Sequence, residues 1–159
     1  MAKSPLPDDP AAFFEQKLER YCAYQERCSH DVMQKMAEWK IPPAIREKTM
    51  KHLLQNGFIN DERYAGLYAG GKFRHNKWGR IRIRYELKIR NMPGQIIQES
   101  MSVIHEEEYL QTLRELIIKK HTEIKTGKNL NIREKIINFV IGKGFETELA
   151  IAILNELKI

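Results

Sequence analysis

The sequence predicts an all-α protein built from three tandem three-helix repeats, about nine helices with no sheet. Three observations carry that reading. First, the segment Val32–Leu53 aligns without gaps on Ile83–Ile104 and on Ile136–Leu157. Six apolar columns then coincide: Val32, Ile83, Ile136; Met36, Leu87, Val140; Ile41, Met92, Phe145; Ile45, Ile96, Leu149; Met50, Met101, Leu154; and Leu53, Ile104, Leu157. Second, the spacing inside each block is helical, with one turn from Val32 to Met36 and further helical steps after Ile41. Third, the two halves of each block are separated by the column Lys40, Asn91, Gly144. Asn and Gly tolerate the left-handed conformation that ends a helix. Pro42 and Pro93 follow, with Glu146 in the third copy, and Pro suits the first turn of a new helix because its missing N–H has no partner there. Each block therefore reads helix, tight turn, helix.

A further helix precedes each block. The first is expected over Ala12–Glu26, with Phe14, Leu18 and Tyr21 on one face. A break at Cys28-Ser29 ends it, and Ser29 suits the N-cap of the next helix. The second is expected over Asn60–His75, with Tyr64, Ala65, Leu67 and Tyr68 along it and Asn60 or Asp61 as its cap. Its break lies at Asn76–Gly79. The third spans Glu106–Lys125 through Leu110, Leu113, Leu116, Ile117 and Ile124, with a break at Thr126-Gly127. The expected organisation is a flexible lead-in over 1–11 and helical repeats over 12–57, 58–104 and 105–159. A triplet of about 50 residues has a small core, so each repeat should lean on its neighbours in an elongated body with room for curvature. Gly66, Gly70 and Gly71, with Ala65 and Ala69, form a small-residue face that suits either close approach of a neighbouring helix or a kink.

Composition narrows the function classes. Of 159 residues, 42% are hydrophobic and 30% charged, the balance of a folded soluble chain rather than a disordered tail. No apolar run reaches the roughly 18 residues of a membrane helix, and the opening MAKSPLPDDP lacks the apolar stretch of a secretory signal. Cys22 and Cys28 fit no zinc or redox spacing and are expected to be reduced thiols in a cytoplasmic protein. The five histidines are scattered, without a metal-ligand pair, and no Gly-rich phosphate loop occurs. No nucleophile–base pair or paired carboxylates stand out, so no enzyme activity, cofactor or metal is expected.

Charge is concentrated. Lys72, Arg74, Lys77, Arg80, Arg82, Arg84, Lys88 and Arg90 lie in one segment opposed only by Glu86, which makes that segment +7. The whole chain carries +6, so the remainder stands at −1. On the helix over Lys77–Arg90, Lys77, Arg80, Arg84 and Lys88 fall within a sector roughly 80° wide. Ile83 and Leu87 flank it on one side and Ile81, Tyr85 and Ile89 on the other, as expected of a middle repeat with neighbours on both sides. Lys72, Arg74, Lys77, Arg80, Arg82, Arg84 and Lys88 are the candidate partner-binding residues. Arg pairs with carboxylate and phosphate alike, which leaves an acidic protein surface and a nucleic acid both open. Trp39 and Trp78 suit interface anchors or repeat-to-repeat packing equally.

The stretches GFINDERYA (Gly57–Ala65) and KWGRIRIRYEL (Lys77–Leu87) resemble the central motif of the RecX regulatory family. Asp61, Tyr64 and Ala65 match its Asp-x-x-Tyr-Ala core, and Gly79, Ile83, Glu86 and Leu87 match the helix that follows. The resemblance covers roughly Phe14 to Leu157, and the three-repeat layout agrees. Two departures occur. Trp78 separates Lys77 from Gly79, and Arg90-Asn91 replaces a frequent Lys-Gly turn. The resemblance implies a non-catalytic cytoplasmic protein that binds the RecA recombinase filament and inhibits strand exchange and the linked ATPase and coprotease activities in recombination and repair. Some members also touch DNA. A monomer without membrane association is expected. The alternative is a stand-alone nucleic-acid-binding module, since three-helix units can place a basic helix in a groove. Tyr64 is expected in core packing beside Leu67 and Tyr68, and Asp61 as a helix cap.

Overall fold

The computed structural model describes residues 7–125 and 131–159, and helices form where the periodicity places them. Among the described residues there are nine α-helices, one 3-10 turn and no strand. They are α1 (Pro10–Tyr24), α2 (Ser29–Glu38), α3 (Pro43–Gln55), α4 (Asp61–Asn76), α5 (Arg80–Ile89), α6 (Gly94–Ser100), α7 (Glu106–Lys125), α8 (Ile132–Gly142) and α9 (Thr147–Leu157); the turn Met101–Val103 follows α6. Residues 1–6 of the expected lead-in and the break expected at Thr126-Gly127 lie outside the described residues. Helix α1 starts two residues earlier than expected. Asp9 accepts a hydrogen bond from the Ala12 N–H at 3.1 Å, and Pro10 takes the first helical position.

Four of the six aligned columns are buried alike, whereas Met50 and Leu157 are half-buried where their counterparts are core. Val32, Ile83, Ile136, Met36, Leu87, Val140, Ile41, Met92 and Phe145 are all core, while Ile45, Ile96 and Leu149 are all half-buried. The corner between the second and third helix of each repeat is the same structure three times. Lys40, Asn91 and Gly144 have φ of 52°, 54° and 96°. The residue after each donates back across the helix end, Ile41 to the Met36 carbonyl at 3.0 Å, Met92 to Leu87 at 3.2 Å and Phe145 to Val140 at 3.1 Å. These bonds satisfy helix-terminal carbonyls that would otherwise lack partners. Pro42, Pro93 and Glu146 then occupy the N-cap of the next helix, one position ahead of its first turn.

The chain divides into two compact units, one ending at Tyr64 and one spanning Ala65–Ile159. In the first, Phe14, Leu18, Cys22, Val32, Met36, Ile41, Leu53 and Ile59 form the core, with Tyr21 and Trp39 edge-on at 6.1 Å along its rim. Of the two caps, that of α2 differs from expectation and that of α4 falls on Asn60, one of the two expected residues. Cys28 rather than Ser29 caps α2, and its N–H donates to Asp31 at 3.3 Å. Asn60 caps α4 by accepting from the Arg63 N–H at 2.9 Å. Asp61 turns away from its own helix and accepts the Ser29 N–H at 2.7 Å, so it serves the start of α2 instead. Asp61 thus joins residues 32 positions apart, which local capping rules do not register. Burial pushes both free thiols, Cys22 and Cys28, up to about 11.

In the second unit, α4 presents Ala65, Ala69, Gly70 and Phe73 to the core. Leu67, expected inside, is exposed, and Tyr64 is half-buried. An added Cβ at Gly66 and Gly70 would make ordinary contact with Val103 at 3.9 and 3.6 Å, whereas Gly71 faces open space. Only Gly70 is tightly approached, an added Cβ lying 3.0 Å from the Arg74 guanidinium, so close approach bears on one of the three glycines. The rings of Phe73, Tyr109 and Phe145 stack in series with centroids 5.7 and 5.0 Å apart.

Candidate partner-binding surface

Gly79 begins the basic helix and sets its position. Its backbone is extended, and a Cβ there would lie 2.2 Å from the Gly144 carbonyl. This closeness lets the start of α5 dock on the end of α8. The Gly79 N–H donates to the Lys143 carbonyl at 2.8 Å and the Ile81 N–H to the Gly144 carbonyl at 3.0 Å. The Arg80 N–H donates to the Tyr109 hydroxyl at 3.1 Å, and that hydroxyl donates to Glu146 at 2.5 Å. Free N–H groups of one helix thus meet free carbonyls of another, a pairing that also aligns the two helix dipoles. Burial, then the hydrogen bond to Glu146, pushes the Tyr109 phenol up.

The seven candidate cations separate into distinct groups on this frame. Arg80 belongs to the junction. Its side chain is 16% exposed, pairs with Glu106 and with Glu146 at 3.9 Å, and lies 3.9 Å over the Tyr109 ring. Arg74 reaches Glu108 at 3.8 Å and the Val103 carbonyl at 3.3 Å. Lys72 and Arg82 bracket Trp78, at 4.9 and 4.0 Å from its ring, and Lys72 also lies 5.4 Å over Tyr68. Arg90 covers Tyr68 at 4.8 Å and pairs with Glu86 at 3.3 Å. Trp78 is therefore covered by cations of its own unit. Lys77 is exposed in the α4–α5 turn at φ 56°.

Arg84 and Lys88 remain. Both are exposed, and neither is ion-paired among the described residues. With Tyr85, Gly94, Ile97 and Gln98 they line an open groove of about 450 Å³ between α5 and α6. Beside them Ile81, Tyr85 and Ile89 are 52%, 62% and 50% exposed. Within its own unit, therefore, the third repeat does not cover that stripe as expected. Ile83 and Leu87, on the other side of α5, are fully buried. Of the matched motif residues, Ala65, Gly79 and Leu87 are buried, Asp61 sits at the α2–α4 corner of the first unit, and Tyr64 is half-buried in the first turn of α4.

One further cluster was not legible in the sequence. Glu15 and Glu19 of α1 converge on His52 of α3, whose Nε2 lies 3.5 and 2.7 Å from their carboxylates. The Asn56 amide nitrogen faces Nδ1 at 3.2 Å. A proton on Nε2 directed at Glu19 satisfies this arrangement as a clasp between two helices. Among the described residues no helix is long and apolar enough to cross a membrane.

Residues 60–101 match the family model described as RecX, second three-helix domain. A Regulatory protein RecX from Clostridium acetobutylicum is 29% identical over 131 residues, covering 80% of this chain and 60% of the relative. The chain is thus similar to RecX proteins over most of its length. The RecX protein of Bacillus cytotoxicus is also 29% identical, over 138 residues that cover 87% of this chain and 51% of that one. The chain thus spans about half to three-fifths of the length of these RecX relatives. A crystal structure titled regulatory protein RecX superposes with a TM-score of 0.84 at 20% identity, covering 98% of this chain and 81% of that one. RecX from Lactobacillus salivarius superposes with a TM-score of 0.83 at 20% identity, covering 93% and 96%. The RecX match falls on the segment that carries the basic helix.

Proposed function

We propose that this protein is a non-catalytic regulator that binds the RecA recombinase filament in the cytoplasm and inhibits its ATPase, strand exchange and coprotease activities. The relatives are named regulatory proteins, which supports a regulatory role. The observation that carries the finer reading is where the match falls. The 60–101 segment coincides with the middle repeat, and that repeat exposes Arg84 and Lys88, without an ion pair among the described residues, beside an apolar stripe. We assign filament docking to this repeat, residues 58–104. Arg84 and Lys88 make the contacts, with Lys72, Lys77 and Arg82 as a flanking basic field; Arg74 and Arg80 are held by carboxylates and leave the set.

The test is a titration of the protein into the recombinase of the same organism, assembled on single-stranded DNA, with ATP hydrolysis and strand exchange followed together. Both should fall in a saturable manner. Unchanged rates at a several-fold excess over recombinase would refute the reading. Binding to bare duplex as tight as binding to the filament would favour a stand-alone nucleic-acid module.

A further inference from the structure

The three repeats share one architecture, so residues in equivalent positions show what the fold requires and what it does not. Ile81, Tyr85 and Ile89 of α5 correspond to His30, Gln34 and Glu38 in the first repeat and to Glu134, Asn138 and Gly142 in the third. The fold therefore places no demand for apolar side chains there. Arg84 and Lys88 correspond to Met33 and Ala37, and to Ile137 and Ile141. In the middle repeat alone, large apolar residues stand where the others are polar or, at Gly142, lack a side chain, and cations stand where the others are apolar. The result is an exposed ridge at i, i+4 and i+8, flanked by two positive charges that form no ion pair among the described residues.

We infer that this face docks an acidic, apolar-faced segment of the recombinase protein, and that its cations meet carboxylates rather than phosphates. The inference rests on the filament-binding reading. Duplex backbone offers cations a partner but gives an aliphatic ridge nothing to bury against. Single-stranded bases would need stacking rings. Tyr85 is the one ring on this face, because Trp78 and Tyr68 are covered by Arg82, Lys72 and Arg90. A protein segment with apolar side chains over Ile81, Tyr85 and Ile89, and with acids beside Arg84 and Lys88, complements both features. It buries apolar area in the middle and pairs charge at the rim.

Two variants separate the chemistries: Ile81→Ser with Tyr85→Ser and Ile89→Ser, and Arg84→Gln with Lys88→Gln. Each is measured for binding to the filament and to the same single-stranded and duplex DNA without recombinase, across a range of salt. All five side chains are exposed, so melting should match the parent; Tyr85→Ser alone replaces the triple variant if it does not. The ridge variant should lose roughly tenfold or more in filament affinity at an unchanged salt slope. The charge variant should weaken filament binding and flatten its salt slope, while bare-DNA binding is unaltered in both. A parent that binds the filament alongside a ridge variant of equal affinity overturns this inference and leaves the filament-binding reading intact. The same holds if the charge variant loses filament and bare-DNA binding equally. A parent that does not bind the filament removes both.

Discussion

Replacing Gly79 with Ala should destabilise the protein through a single contact. The Gly79 backbone, φ −76° and ψ 165°, suits any residue, so no conformational penalty arises. Ala is a poorer N-cap than Gly by a modest margin, and a stiffer unfolded chain offsets this by about 0.4–1 kcal/mol. What remains is space. The new Cβ would lie 2.2 Å from the Gly144 carbonyl carbon and oxygen and 2.3 Å from the Phe145 nitrogen. These are backbone atoms, so a rotamer change cannot relieve the overlap. Ordinary contact requires the start of α5 to withdraw by roughly an ångström. That would stretch the bonds from Gly79, Arg80 and Ile81, now 2.8, 3.1 and 3.0 Å, beyond useful length. Three net hydrogen bonds at about 0.5–1.5 kcal/mol each give a loss of about 2–4 kcal/mol. For a chain of this size the melting temperature should fall by roughly 5–15 °C. Gly71→Ala is the internal control. It sits inside the preceding helix α4 with open space around its Cβ, and should raise stability by up to about 1 kcal/mol. Thermal and urea melts followed by circular dichroism read both. Equal shifts of the same sign, or an unchanged Gly79→Ala protein, would refute the docked-helix account.

Four other outcomes are expected. Leu87→Ala should cost about 2–5 kcal/mol in urea melts, whereas Lys88→Ala should stay within about 0.5 kcal/mol, since the first is fully buried and the second exposed; equal effects would mean α5 is turned differently. Arg80→Gln should cost about 1–3 kcal/mol and Arg84→Gln almost nothing, because Arg80 alone is held between Glu106, Glu146 and Tyr109. Lys40→Gly should stabilise by about 0.5–1 kcal/mol by relieving a left-handed lysine, an expectation that a lower urea midpoint would contradict. Cys22 and Cys28, with thiols raised to about 11, should react with a disulfide reagent at pH 8 far more slowly in the native protein than in denaturant. Their burial favours the protonated form, so their contribution holds below about pH 9 and is lost as pH rises toward 11; prompt native labelling would show the sites to be open.

The repeat was legible in the sequence because its determinants are local. Val32, Ile83 and Ile136 align by spacing alone, and so do the left-handed corners at Lys40, Asn91 and Gly144, even where the residue is a lysine. Pairings made by distant chain segments were not legible. Asp61 looked like a cap for its own helix, and only the fold brings Ser29 to it. Arg80 looked like surface because Glu106 and Glu146 are 26 and 66 residues away in sequence. Tyr109, the largest fully buried side chain, went unnoticed in a helix read by its leucines and isoleucines. Helical facing placed Ile81, Tyr85 and Ile89 on one stripe correctly, but periodicity does not say whether anything covers a stripe.

The abutting ends of α5 and α8 also bear on how the chain comes to be folded during synthesis. Residues 79–81 leave the ribosome more than 60 positions ahead of the carbonyls at Lys143 and Gly144 that receive their N–H groups. Until that later stretch emerges, the start of the basic helix must keep those donors in water. The first unit has its whole core, from Phe14 to Ile59, available much sooner. Vectorial folding would then leave the basic helix unfinished at its leading end until residues 143–144 have emerged, a delay that nearest-neighbour stacking of independent repeats would not impose.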